Sequence, residues 1–192
     1  MARTTKAPRG SDLAVFAAFL RAVNVGGTGK LPMADLTRLC TDAGFVGVTT
    51  YIQSGNVVFA TAIPAAAAKA RLEAALAAHM GAGSLGAQVF LRTRPELEAL
   101  LDAPWIGPAD PSRVLAYFLD APVAPAELAA IRPPGREELR AAGREVLVRY
   151  PDGLGSSKLR LPFLGRATGR NMNTVRKMAT LAAALEATLA AG

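Results

Sequence analysis

Residues 48–61 read VTTYIQSGNVVFAT. Val48–Ile52 is a β-rich run, Gln53-Ser54-Gly55-Asn56 is turn chemistry, and Val57–Thr61 is a second β-rich run, so the stretch is a hairpin. Its flanks decide the fold. Leu13–Val23 is apolar at nearly every position until Arg21 and reads as a buried strand. Pro32 opens a helix that runs to about Ala43, with Met33, Leu36, Leu39 and Cys40 at helical spacing and Gly44 as its stop. Ala65–Met80 is an Ala-rich helix ended by Gly81, and Ala87–Arg92 is a strand. The order β-α-β-β-α-β predicts a ferredoxin-like unit, an antiparallel sheet with both helices on one face.

The second half echoes the first. Glu96–Leu101 reads as a short helix, Arg113–Leu119 as a strand and Pro125–Ile131 as a helix. Leu139–Ala141 and Glu145–Tyr150 flank Ala142-Gly143-Arg144 as another hairpin. A short helix is predicted near Leu159–Leu164, then a longer one over Asn171–Leu189 with Val175, Met178, Ala182, Leu185 and Leu189 on one stripe. No last strand is evident. The expectation is an α+β protein of two tandem ferredoxin-like (βαββαβ) subdomains with antiparallel sheets, the second one incomplete, plus C-terminal helices. The expected division is a flexible tail at 1–12, an N-terminal subdomain at 13–93, a helix and Pro/Gly-containing linker at 94–112, and a C-terminal subdomain at 113–192.

Composition narrows the function. Of 192 residues, 51% are hydrophobic and 19% charged, which excludes a disordered chain. One Cys and one His exclude a disulfide framework, a Cys-rich zinc site and a His-cluster metal site, so no metal or cofactor is expected. His79, near the end of an Ala-rich helix, suits a helix C-terminus. The apolar run Leu13–Leu20 is shorter than the about 20 residues that span a bilayer, and Asp12 and Arg21 bracket it. A cytoplasmic location without a membrane partner is therefore expected, which suits a free Cys40.

The formal net charge is +7, and it is unevenly placed. Lys158, Arg160, Arg166, Arg170, Arg176 and Lys177 fall in a stretch with no acid between Asp152 and Glu186. A one-signed stretch attracts anions, whether phosphate groups, nucleic acid or an acidic partner, or else is a solvated face. Lys158 and Arg170 fall at predicted helix starts, where a cation opposes the helix dipole unless an anion or a carboxylate from the other half faces it. Asn171, Asn173 and Thr174 crowd the first turn of the last helix, either capping it or binding.

Asn24-Val-Gly-Gly-Thr-Gly-Lys30 is a Gly-rich loop before a helix. It fails the phosphate-binding loop of nucleotide hydrolases, because Asn24 and Leu31 replace the required Gly and Ser/Thr. Its backbone N–H groups, with Lys30 beside them, could cradle an anion, or its glycines simply serve a tight turn. No nucleophile–base set can be assigned.

Several segments together carry a family resemblance: Leu20-Arg-Ala-Val-Asn-Val-Gly-Gly27, Lys30-Leu-Pro-Met-Ala-Asp-Leu36, Thr50-Tyr-Ile-Gln-Ser-Gly-Asn-Val-Val-Phe59, Ser157-Lys-Leu159 and Thr168-Gly-Arg-Asn-Met-Asn-Thr-Val175. Across residues 13–185 the chain resembles the bacterial family catalogued as domain of unknown function 1697. That family usually has isoleucine where this chain has Val23, and often tryptophan where it has Met172, so a stacking ring is absent at 172. The resemblance implies a two-part protein with ferredoxin-like halves and no established activity. The polar positions matching its motifs are Arg21, Asn24, Gly26, Gly27, Lys30, Tyr51, Gln53, Ser54, Asn56, Ser157, Lys158, Arg170, Asn171, Asn173 and Thr174. A duplicated fold could gather them in a cleft between the subdomains, where pockets favour forming, or they could hold the halves together.

Three functions follow as expectations. The first is binding of a phosphate-bearing ligand or nucleic acid through Lys30, Lys158, Arg170, Arg176 and Lys177. The second is an enzyme on a small phosphorylated or carboxylated metabolite. The third is an interaction or regulatory protein whose motif residues are structural.

Overall fold

The computed structural model describes residues 12–21, 23, 31–81, 87–104 and 109–192. The first half runs β1 (Ala14–Arg21), α1 (Met33–Asp42), β2 (Val46–Tyr51), β3 (Asn56–Thr61), α2 (Ala65–Met80) and β4 (Gln88–Arg92). Its strands pair antiparallel in the order β2-β3-β1-β4, the ferredoxin-like order. Helix α3 (Arg94–Leu101) follows. The second half runs β5 (Val114–Phe118), α4 (Pro125–Ala130), β6 (Glu138–Ala142), β7 (Glu145–Arg149) and β8 (Thr168–Asn171), in the order β6-β7-β5-β8. Helix α5 (Met172–Ala191) comes last.

Strand β8 gives the second unit the last strand that the sequence reading left out, while between β7 and β8 only 3-10 turns stand where the first unit has α2, so the unit is incomplete as expected. The four residues of β8, Thr-Gly-Arg-Asn, show no apolar alternation, yet Thr168 and Arg170 are buried because polar partners receive them. The helix expected near Leu159–Leu164 is instead a five-residue 3-10 turn at Pro162–Arg166, followed at once by β8 from Thr168. Lys158 therefore lies on the irregular segment before that turn, not at a helix start, whereas Arg170 stands in β8 one residue before Asn171, the cap of α5. Helix α3 begins before the predicted Glu96: Thr93 and Glu96 form a capping box, with Glu96 Oε2 accepting from Thr93 N at 2.8 Å.

Three apolar layers stack through the molecule. Helices α1 and α2 cover one face of the first sheet with Leu36, Leu72 and Leu76 against Phe16, Leu20 and Phe59. The opposite face meets the second sheet, together with α3 and α5, through Phe19, Phe90, Phe118, Leu147, Met172 and Val175. We call this middle layer the joint. At its centre Phe19 and Phe118 stack at 4.1 Å, tilted by 10°. The third layer lies under α4 and the 3-10 turn, with Tyr117, Val148, Tyr150 and Phe163. No helix among the described residues is long and apolar enough to cross a membrane.

The hairpin that identified the fold is tightly seated. Gly55 has φ +76°, and a Cβ there would lie 2.4 Å from Val23 Cγ2 and 2.9 Å from Leu20 Cβ. Gly55→Ala is expected to cost at least about 1–2 kcal/mol in urea unfolding, from left-handed backbone strain alone. An unchanged midpoint would show that the turn relaxes freely.

Candidate anion site at one end of the joint

The two halves hold each other by the same contacts, exchanged. Arg92 sits opposite Ala17 in the first sheet, and Arg170 opposite Ala116 in the second. Arg92 Nη2 donates to Leu119 O at 2.7 Å, and Arg170 Nη2 donates to Leu20 O at 2.8 Å. Leu119 and Leu20 follow the stacked pair Phe118 and Phe19. Each arginine also donates Nη1 to the carbonyl preceding it, Leu91 at 2.7 Å and Gly169 at 2.8 Å. Each directs Nε at the first residue of the other half's third strand. For Arg92 that residue is Glu145; for Arg170 it is Asn56, at 2.6 Å. Glu145 faces Phe118 in its sheet as Asn56 faces Phe19. The residue after each arginine caps a helix: Thr93 for α3, Asn171 for α5. The duplication thus extends through the final helices, and the joint has an internal two-fold relation.

The relation breaks in its charges. At the Arg92 end, carboxylates answer the cations. Arg92 meets Glu145, Arg144 meets Glu96 at 2.5 Å, and Lys69 reaches Asp120 at 2.5 Å. Burial pulls Arg92 down and pushes Glu145 up, each opposed by the other's charge. At the Arg170 end the answering residue is neutral Asn56. Asp120 follows Leu119, and its counterpart after Leu20 is Arg21, which has no carboxylate partner among the described residues. Arg170 Nη2 also reaches Ser54 O at 2.6 Å and Gly55 O at 3.4 Å, while Nη1 reaches Thr168 Oγ1 at 2.8 Å. Burial pulls this guanidinium down to about 10, which keeps it charged at neutral pH. Among the described residues, one end of the joint is electrically balanced and the other holds two arginines and no acid.

The motif residues divide accordingly. Arg21, Tyr51, Gln53, Ser54, Asn56 and Arg170 gather at the unbalanced end, on β1, the β2–β3 hairpin and β8. Within this group Asn56 and Arg170 are wholly engaged in the joint. Asn56 Nδ2 donates to Tyr51 O and Ser54 Oγ, both at 3.0 Å, while its Oδ1 accepts from Arg170. Asn24, Gly26, Gly27 and Lys30 lie outside the described residues. Asn171 caps α5, its Oδ1 accepting from Thr174 N at 3.0 Å, and Thr174 is buried. Asn173 is exposed. The middle of the joint is filled by Phe19, Phe118 and the two arginines.

Ser157 and Lys158 go elsewhere. They line a cavity of about 240 Å³ on the second half, with Glu137, Tyr150, Asp152 and Gly153. Glu137 accepts from Ser157 Oγ and Gly135 N, and Asp152 pairs with Arg136. These bonds hold both carboxyls below their ordinary range, the Ser157 hydroxyl mainly for Glu137 and Arg136 mainly for Asp152. An anion entering beside Lys158 would therefore meet two charged carboxylates. The sequence reading also passed over Arg92, Glu145 and Gln88. Only the repeat of Phe-Leu at 19–20 and 118–119, carried on to the ends of the fourth strands, would have marked the first two.

These features define a class: a duplicated ferredoxin-like α+β protein with an internal two-fold joint. The chain belongs to the family described as "Protein of unknown function (DUF1697)", whose model matches residues 13–147. That match contains Arg21 and the hairpin and ends before Ser157, Lys158 and Arg170. A solved structure, a conserved bacterial protein from Streptococcus pneumoniae, is similar in fold, with TM-score 0.72 at 24% identity over 88% of this chain and 99% of that one. No curated protein matches the chain.

Proposed function

We propose that the protein binds a small phosphate-bearing ligand at the Arg21 end of the joint. One observation carries this reading: of two ends related by an internal two-fold, one is balanced by Glu145 and Asp120, and the other presents Arg21 and Arg170 with no acid beside them among the described residues. Arg170 is committed to the joint and contributes only its field. Arg21 is half-buried and its guanidinium has no partner among the described residues, so it is the group that contacts the ligand. A phosphate matches a guanidinium's paired N–H donors, and partial burial strengthens the attraction over its value in water.

Calorimetric titration with methyl phosphate at low salt tests this. Binding is expected in the unmodified protein, weakened about tenfold or more in Arg21→Ala, the loss of roughly one charge-assisted hydrogen bond. Lys158→Ala is expected to leave it unchanged. Equal affinity in Arg21→Ala would overturn the proposal. At 100 times its dissociation constant the ligand adds about 2.7 kcal/mol of stability, a rise of roughly 5–10 °C in melting temperature for a chain this size.

A second reading, nucleic acid, draws on Lys158, Arg160, Arg176 and Lys177, which are exposed and without carboxylate partners among the described residues. If it holds, Arg176→Ala with Lys177→Ala lowers the salt slope of nucleic-acid binding by roughly 1.4–1.8. No binding of RNA or DNA at low salt would remove it.

A further inference from the structure

Directly across from Arg21 lies a buried acceptor with nothing to accept. Gln88 opens β4 opposite Arg21 in the antiparallel register. Strand alternation puts Gln88 on the joint side with Phe90, and Arg21 on the joint side with Phe19. Side chains so opposed have Cβ atoms about 4.5–5.5 Å apart. Gln88 Oε1 is buried and unpaired, the one side-chain atom of which this is true among the described residues. Native proteins rarely leave such an atom unpaired, and each instance calls for a reason such as a bound water or a ligand. Gln88 as a residue is only half-buried, and the last torsion of a glutamine is soft. A small rotation therefore presents the carbonyl to an incoming group.

We infer that the ligand held at Arg21 carries a neutral O–H or N–H donor close to its phosphate, and that Gln88 Oε1 accepts from it. The chemical class is a phosphate monoester of a polyol or sugar. This rests on the anion reading above and sharpens it. A carbonyl oxygen welcomes a hydroxyl and disfavours a second anionic group. A ligand with one phosphate and adjacent hydroxyls therefore fits, and a bisphosphate or a phosphorylated acid fits poorly.

The test titrates the full-length protein with glycerol 1-phosphate and propyl phosphate, which differ only in hydroxyls. Glycerol 1-phosphate is expected to bind about tenfold tighter, one hydrogen bond's worth. Gln88→Met, of similar length and without the carbonyl, is expected to abolish that preference while holding propyl phosphate within about twofold. It should not lower the melting temperature, since it removes an unpaired polar atom. Gln88→Glu places a carboxylate beside Arg21 and is expected to abolish binding of both. If both phosphates bind equally well to the unmodified protein, the anion reading stands and the hydroxyl inference fails. A preference that survives in Gln88→Met likewise overturns the inference. If neither phosphate binds, the anion reading falls and this inference falls with it.

Discussion

Replacing Arg170 with alanine is expected to destabilise the protein by about 3–5 kcal/mol, the range seen when one partner is removed from a buried charged network. The reason lies in what is left behind. Ser54 O and Asn56 Oδ1 lose their arginine donor inside the joint, and Leu20 O keeps only Thr168 Oγ1, while the volume of the side chain is lost as well. Arg170→Lys is expected to recover little, because an ammonium has no planar fork to reach Asn56 and the two carbonyls together. Urea unfolding would show a lower midpoint at unchanged slope, and heating a drop of roughly 10 °C or more. The acceptors left behind are neutral, so the loss is expected to be the same at pH 5 and pH 7. A loss under about 1 kcal/mol, the level of an ordinary exposed contact, would show that the network does not hold the halves together.

Arg92→Ala is expected to cost a similar about 3–5 kcal/mol at pH 7, but with a pH dependence that Arg170→Ala lacks. Its removal leaves the Glu145 carboxylate, which is 7% exposed, without its hydrogen-bonded cation and with only the charge of Arg144 to offset burial. Burial already pushes this carboxyl up, and losing Arg92 pushes it further. An acid whose folded pKa lies above its unfolded one binds more protons in the native state, so stability falls as pH rises through that window. The variant is therefore expected to be less impaired near pH 5 than at pH 7. Arg92→Met with Glu145→Leu, which removes both charges, is expected to recover most of the loss, as apolar replacements of buried ion pairs often do. If the double variant is as unstable as Arg92→Ala, the pair is needed for shape rather than charge.

The fold was legible where apolar periodicity was strong. The hairpin at 48–61, the β1 run and α2 over Ala65–Met80 stand close to where the pattern put them. Strand β8 was not legible, because its burial comes from polar contacts to residues more than a hundred positions away, and periodicity carries no trace of those. The same distance hid the role of Arg170. Its charge reads as a surface cation at a helix start, and only the folded chain shows its donors turned inward on Leu20, Ser54 and Asn56. Glu145 was missed for the converse reason, since an acid after Gly143-Arg144 looks like a solvated hairpin tip. The gathering of Arg21 with Gln53, Ser54 and Asn56 was within reach, since a ferredoxin-like order brings the end of β1 beside the β2–β3 turn. That Ser157 and Lys158 would stand apart depended on the course of an irregular segment between two 3-10 turns.

Helix α5 has a consequence in time as well as in space. It covers the joint face of the first sheet, against β1 and β3, yet it is made after all the other described elements. About a hundred residues separate the end of β4 from the end of α5, and at ribosomal rates of about 5–20 residues per second the first half waits on the order of 5–20 s for its cover. During that interval the emerging chain displays Phe19 and Phe90 to solvent or to a chaperone. The joint face of the first sheet is therefore covered only once α5 has been made.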